Sequence, residues 1–154
     1  MAQLSLNNNE RIELTILSNL LSNEDFTRKA IPFIKEDYFT NRSERVLFTE
    51  IFKFVDKYNN LPTKETITIE LTQRKDINED EYKNIRELVQ SLHNEKPDLQ
   101  WLLDTTEKFC KDRAVHNAVL TGIKIIDKKD KTRQPEAIPS ILSEALAVSF
   151  DKNI

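Results

Sequence analysis

The chain has 154 residues, enough for one domain with its own hydrophobic core. Its net charge of −3 gives no indication of wholesale binding to nucleic acid or to an anionic membrane. A single glycine excludes both common glycine-rich nucleotide loops and favours an all-α chain over one rich in tight turns. One cysteine, Cys110, excludes an internal disulfide and fits a reducing cytosol. No stretch approaches the length of an apolar membrane span, so we expect no membrane partner.

Polar caps and apolar faces predict three helices before residue 60. The first covers about 9–21, and Asn23 caps a second helix that Pro32 ends. The segment 41–44 has the form of a capping box and opens a third, strongly apolar helix, which Asn59 stops.

Two further helices are predicted between residues 63 and 92. Thr63 caps the first, in which Ile67 and Leu71 lie four residues apart, although Ile69 also allows the alternation of a strand. We expect a helix because no partner strand is visible. A second capping-box pattern opens the helix over about 78–92.

The longest predicted helix covers 98–127, roughly 45 Å at 1.5 Å per residue. Its apolar face turns by well over a quarter-turn beyond Arg113, so its two halves should pack against different bodies. The segment 128–136 contains no aliphatic or aromatic residue and predicts an exposed turn. A last amphipathic helix follows, with Pro139 in its first turn.

The predicted fold is therefore all-α, with a helical globule of about six helices (1–97) followed by an antiparallel helical hairpin (98–154). A hairpin covers only one side of each helix, so a second copy would bury the apolar surface that remains. Ala118 and Gly122 are small enough to allow two hairpins to approach closely. The residues expected at the dimer or partner interface are Val115, Ala118, Val119, Gly122, Ile126, Ile138, Ile141, Leu142, Ala145 and Leu146.

Two patterns suggest a metal site or a catalytic nucleophile, but a structural explanation is stronger in each case. Asp76, Asn78, Asp80 and Glu87 have calcium-loop spacing, but Glu81 occupies the position that requires glycine, and an acidic helix start explains them better. Cys110 and the histidine six residues later face apart on a helix, so they form no local nucleophile–base pair.

Five basic residues surround the predicted hairpin turn: Lys124, Lys128, Lys129, Lys131 and Arg133. Asp127 and Asp130 interrupt them, which favours a solvated turn over a phosphate site. No catalytic, cofactor-binding or metal site is expected in this chain.

Several segments resemble the DnaB-type replicative helicases. The opening of that family is similar to residues 10–26, ERIELTILSNLLSNEDF, and to residues 37–55, DYFTNRSERVLFTEIFKFV. In the second segment, Phe48-Thr49-Glu50 matches a Phe-Thr-Glu-like segment of the family. Further on, KFCKDRAVHNAVLTGIKII and EAIPSILSEALAVSFD are closest to the T-even-phage branch.

The resemblance implies the N-terminal domain of a hexameric ring helicase that unwinds DNA at the replication fork. Hairpins of neighbouring subunits would pair into a collar that docks primase, with a helicase loader as a further candidate partner. The motor domain, with its ATP and Mg²⁺, would follow beyond Ile154, so this chain would have no catalysis of its own and bind DNA only weakly. A phage origin would place it in the host cytoplasm.

Two alternatives remain open. A stand-alone helical adaptor or helicase loader could resemble this domain, and a reading frame that ends near Ile154 would favour it. A helix-turn-helix DNA-binding regulator would use the segment after Pro62. That alternative requires a basic recognition helix, whereas the charges of the segment are balanced.

Overall fold

The computed structural model describes residues 8–150, which form seven α-helices and no strand. The predicted all-α fold class is confirmed, and the segment after Thr63 is a helix rather than a strand. In this part of the chain no helix is long and apolar enough to cross a membrane. The helices are α1 (Asn8–Ser22), α2 (Glu24–Ala30), α3 (Arg42–Tyr58), α4 (Lys64–Thr72), α5 (Glu79–Ser91), α6 (Leu99–Ile126) and α7 (Ile138–Leu146).

Side-chain caps fix where the helices start. Five capping residues accept a backbone N–H in the first turn of their helices: Asn23, Asn41, Thr63, Asn78 and Asp98. Both capping boxes are complete, because the glutamate in the first turn also accepts from the backbone of the capping residue. The short polar residues of the sequence thus set the helix register before any tertiary contact is considered.

The core of the globule is shared by α1–α5 and the first half of α6. Phe39, in the connector before α3, lies with its ring centroid 5.4 Å from that of Phe48 and 5.9 Å from that of Phe109. Other fully buried residues are Leu17, Leu20, Phe26, Leu47, Ile51, Ile67, Leu71, Ile85 and Leu102. Since α6 supplies Leu102 and Phe109 to this core, the long helix is part of the globule for its first half.

Two buried carboxyl groups lie where α1 meets α3. Glu13 and Glu44 are 1% and 7% exposed. Glu13 Oε2 accepts hydrogen bonds from the backbone N–H and the hydroxyl of Thr40, at 2.9 and 2.7 Å. Burial, and then the neighbouring carboxyl of Glu13, raise the pKa of Glu44 to about 7. The globule therefore holds a carboxyl group that folding favours in its protonated form.

A chain of ion pairs ties α3 to the loop between α4 and α5. Glu50, which is 3% exposed, accepts from Arg74 Nη1 at 2.8 Å, and Arg74 also holds Asp76 at 2.6 Å. Arg42 on α3 pairs with Glu81 on α5 at 2.8 Å. These pairs satisfy the buried charge of Glu50 and fix the loop.

Candidate assembly interface on the hairpin

The surroundings of α6 change near Arg113. Before it, Leu102 and Cys110 are buried in the globule core. Arg113 Nε then donates to the carbonyl of Tyr38 at 2.9 Å, and Asn117 Nδ2 donates to the carbonyl of Asp37 at 2.8 Å. Beyond these two contacts the buried residues of α6 no longer belong to the globule core. The change of apolar face predicted at Arg113 thus coincides with the last hydrogen bonds from α6 to the globule.

Small residues bring α6 and α7 of the same chain together. Ala118, Gly122 and Ala145 are buried, and a Cβ added to Gly122 would lie 3.7 Å from Cγ2 of Ile138. That distance is an ordinary van der Waals contact. Within one chain, Gly122 therefore allows α6 to approach α7 closely, and the expectation that Ala118 and Gly122 lie between two hairpins stays a prediction.

After α7 the chain returns to the globule. Glu107 Oε2 accepts from the backbone N–H of Phe150 at 2.8 Å and from the hydroxyl of Ser149 at 3.2 Å. The ring of Phe150 stacks on Phe33, with centroids 5.1 Å apart. The hairpin predicted to stand off the globule is thus fastened to it at both ends of its base.

Exposed apolar side chains follow α6 beyond Arg113 at helical spacing. Val119, Ile123 and Ile126 are 46%, 49% and 65% exposed, and at about 100° per residue they lie within about 60° of one another. On α7, Leu146 is 62% exposed. Leu120, 45% exposed, flanks this surface. Val115 and Leu142 are partly buried and lie four residues before Val119 and Leu146, on the same helix faces. We define the outer stripe as Val115, Val119, Ile123, Ile126, Leu142 and Leu146.

The opposite side of the hairpin faces the globule. A cleft of about 320 Å³ lies there between the connector before α3, α6 and α7, and Asp37, Tyr38, Asn117 and Arg133 contribute to its lining. No residue of the outer stripe lines this cleft. The hairpin therefore has an inner side that faces its own globule and an outer side that is apolar and open.

The ten residues predicted for the interface divide between these surroundings. Val115, Val119, Ile126, Leu142 and Leu146 belong to the outer stripe, whereas Ala118, Ile141 and Ala145 line the inner cleft and Gly122 meets Ile138 between the helices. The sequence analysis missed Leu120 and Ile123. Ile123 lies four residues after Val119, so the spacing used for the other stripe residues could have found it.

Cysteine, tyrosine, histidine and aspartate are residue types that catalyse reactions or bind metals in other proteins. Cys110 is buried, and burial raises the pKa of its thiol to about 12. Burial likewise raises the pKa of Tyr38 to about 12. His116 is exposed and Asp76 is paired with Arg74. Within residues 8–150, no three His, Cys, Asp or Glu side chains come together as a metal site would require. The surface of the hairpin thus offers apolar contact and charge rather than a nucleophile.

Fold and surface together define a class: an all-α domain made of a helical globule and an attached hairpin with an apolar outer side. The family model described as the DnaB-like helicase N-terminal domain matches residues 5–101, and the chain belongs to that family. A "DnaB-like replicative helicase" of Enterobacteria phage T4 is 28% identical over 147 residues, 90% of this chain and 31% of that protein. The chain thus spans about a third of the length of this curated relative.

Proposed function

We propose that this chain is the assembly domain of a ring-shaped replicative DNA helicase, and that it pairs with a second copy through the outer stripe. The observation that carries the proposal is the row of large apolar side chains left about half exposed on the open side of the hairpin. Removing a fully exposed side chain of this kind from water contributes about 1.5–3 kcal/mol, and because these side chains are already about half buried, each contributes roughly half of that. A stripe of several therefore supplies enough free energy to drive association.

A two-fold axis suits this surface. In such a pair each stripe packs against its own copy, and the two hairpins form a four-helix arrangement. The inner side of each hairpin remains with its own globule, held by Arg113, Asn117 and Glu107. Pairing therefore needs no rearrangement of the globule.

Family membership and the name of the T4 relative support the wider proposal. Three such pairs would form the collar of a hexamer, and the collar would dock primase, with a helicase loader as a further candidate partner. ATP and Mg²⁺ would bind to a motor domain encoded in the part of the protein that this chain does not span. Calorimetric titration of the chain with the primase of the same replication system tests the docking. Saturable binding is expected, and no heat of binding would contradict it.

The pairing is tested by sedimentation equilibrium over a range of protein concentrations. Wild type is expected to dimerise, whereas Ile123→Asp should raise the dissociation constant at least about a hundredfold, because a buried unpaired carboxylate costs several kcal/mol. Ile69→Asp is the matched control, since Ile69 lies on α4 outside the hairpin and is 48% exposed, against 49% for Ile123. It should leave the dissociation constant unchanged.

Two outcomes would contradict the pairing. One is a wild-type chain that stays monomeric at high micromolar concentration. The other is equal weakening by both Asp variants, which would move the interface away from the hairpin. Far-UV circular dichroism of both variants should match wild type, because neither side chain belongs to the buried core.

A further inference from the structure

The far end of the hairpin is strongly basic. Residues 124–133 contain five Lys or Arg and two Asp, within a chain that has 23 basic against 26 acidic residues overall. All the basic residues of this segment are exposed. We call residues 124–133 the hairpin tip. This segment thus places a cluster of positive charge at one end of the hairpin, in a chain that is acidic overall.

The fold does not use these cations to close the end of α6. The carbonyl of Lys124 accepts from the backbone N–H groups of Lys129 and Asp130, at 2.8 and 3.1 Å, and the carbonyl of Ile125 accepts from the N–H of Lys128 at 3.1 Å. The backbone therefore satisfies the helix end by itself.

The lysine side chains of the tip are also without acidic partners. Among residues 8–150, the ammonium groups of Lys124, Lys128, Lys129 and Lys131 form no hydrogen bond or ion pair, whereas Arg133 lies 3.7 Å from Asp130. The Asp130 carboxylate is engaged locally, since it accepts from the backbone N–H and the hydroxyl of Thr132 at 2.9 and 2.6 Å. Four positive charges thus remain available to a partner.

The position and composition of the tip restrict that partner. Nine residues of helix separate Ile126 from Asn117, so the end of α6 lies about 14 Å beyond the last hydrogen bond from α6 to the globule, whereas Arg133, at the other end of the tip, lines the inner cleft. Ile126, at the start of the tip, is an exposed residue of the outer stripe, whereas residues 128–136 include no aliphatic or aromatic side chain that could enter a bilayer or an apolar groove of a protein. The tip therefore presents lysine ammonium groups on flexible side chains, and these groups suit a flexible polyanion.

We propose that the hairpin tip contacts the phosphate backbone of single-stranded DNA without reading its sequence. Lysine ammonium groups neutralise phosphates and release condensed counterions, which gives affinity that depends on salt but not on base sequence. The choice of DNA among polyanions rests on the proposed function, because a ring helicase separates strands beside this domain. The contact itself needs only the charges of one chain and not the pairing of two hairpins.

The acidic remainder of the chain sets the strength of this contact. Because the chain as a whole is negative, the affinity should be low and should disappear as salt rises. For a single strand, each cation that contacts a phosphate contributes about 0.7 to the slope of log affinity against log salt. Removing three lysines of the tip should therefore reduce the slope by about 2.

Fluorescence anisotropy of a labelled mixed-sequence oligonucleotide tests the proposal in about 50 mM and about 200 mM salt. The tip variant is Lys124→Gln, Lys129→Gln and Lys131→Gln together, which keeps Lys128 in its left-handed conformation with φ 61°. The matched control is Lys75→Gln, Lys83→Gln and Lys96→Gln, which removes the same charge from exposed lysines of the globule. The tip variant should lose about tenfold or more in affinity at the lower salt. The control should lose much less.

Three results would overturn the inference: equal loss of affinity in both triple variants, an unchanged salt slope in the tip variant, or equally strong tip-dependent binding to phosphatidylserine vesicles. Ile123→Asp separates this inference from the pairing of hairpins. If that variant is monomeric and still binds DNA through the tip, both proposals stand. If wild type is monomeric and binds through the tip, only the pairing fails.

Discussion

The globule and the hairpin place charged and apolar residues in opposite ways. The globule buries the carboxyl groups of Glu13, Glu44 and Glu50 and gives each of them a polar partner from the same chain. The distal hairpin leaves large aliphatic side chains such as Val119 and Ile126 in water. Burying a charge costs free energy unless it is paired, and exposing apolar surface forgoes free energy that a partner could supply.

This contrast indicates that the two regions do different work. The buried carboxyl groups of the globule take their partners from the same chain, although Glu13 Oε1 has no hydrogen-bond partner among the described residues. The stability of the globule should therefore not depend on protein concentration. The outer stripe of the hairpin gains free energy only from a second surface. Substitutions in the buried polar network should therefore change unfolding, and substitutions on the stripe should change association.

The largest expected effect comes from breaking the ion pair of Glu50. Arg74→Met should lower the free energy of unfolding by about 2–3 kcal/mol, because it leaves a buried carboxylate with only the exposed Lys53, 3.3 Å away. Urea denaturation monitored by circular dichroism measures this.

Arg42→Met is the control for that change. Arg42 pairs with Glu81 on the surface, and exposed pairs contribute less than about 1 kcal/mol. Equal destabilisation by the two substitutions would show that the burial of Glu50 does not matter. Neither variant should alter the dimer dissociation constant.

A smaller effect depends on pH and on Glu44. Its pKa is raised from 4.5 to about 7 in the folded chain, so folding favours the protonated carboxyl. The associated stability is fully present below about pH 4.5 and is lost as the pH rises through about 7, on the order of 2 kcal/mol. Glu44→Gln keeps a neutral side chain and should remove this loss. Unfolding midpoints in urea at pH 5 and pH 8 compare the two proteins.

Glu81→Gln provides the opposite case in the second capping box. Hydrogen bonding to the backbone of Asn78, and then to Arg42, lowers the pKa of Glu81. Its contribution to stability is therefore present above its unfolded pKa and lost on acidification.

One outcome would contradict the assignment to Glu44. If Glu44→Gln left the difference in unfolding midpoint between pH 5 and pH 8 unchanged, the carboxyl group of Glu44 would not be the titrating group.

Local signals in the sequence were sufficient to predict the helices. A short polar residue before an apolar repeat identifies a cap whatever the tertiary fold, and this is why the helix starts at Asn23, Asn41 and Asn78 were placed correctly. The turn of the apolar face near Arg113 likewise predicted that α6 serves two bodies, and the structure confirms that its first half belongs to the core.

Contacts between distant segments could not be predicted in this way. Nothing near Phe150 in the sequence indicates that it stacks on Phe33, which lies in the first quarter of the chain. Nor does composition reveal that Glu13 is buried, although its helical spacing to Ile16 and Leu17 places it on the apolar face of α1. The division of the predicted interface into inner and outer sides depends on where α7 packs, and a single helical stripe cannot specify that.

The smallest expected effect concerns Gly122 and separates the inner from the outer side of the hairpin. Gly122 lies inside α6 and does not have a positive φ, so its backbone needs no glycine. In Gly122→Ala the added methyl group would meet Ile138 at an ordinary contact distance. The substitution should stabilise the chain by about 0.5–1 kcal/mol, because alanine loses less backbone entropy in a helix. Thermal unfolding at one fixed protein concentration measures this.

The same variant tests which residues two hairpins share. If the outer stripe forms the interface, Gly122→Ala should leave the dimer dissociation constant unchanged, since the methyl group faces α7 of its own chain. Val119→Asp, three residues earlier on the open side, should weaken association strongly. A dimer weakened by Gly122→Ala as well would mean that the second copy approaches α6 at Gly122. The interface would then include the small residues of the hairpin, and the distinction between its two sides would fail.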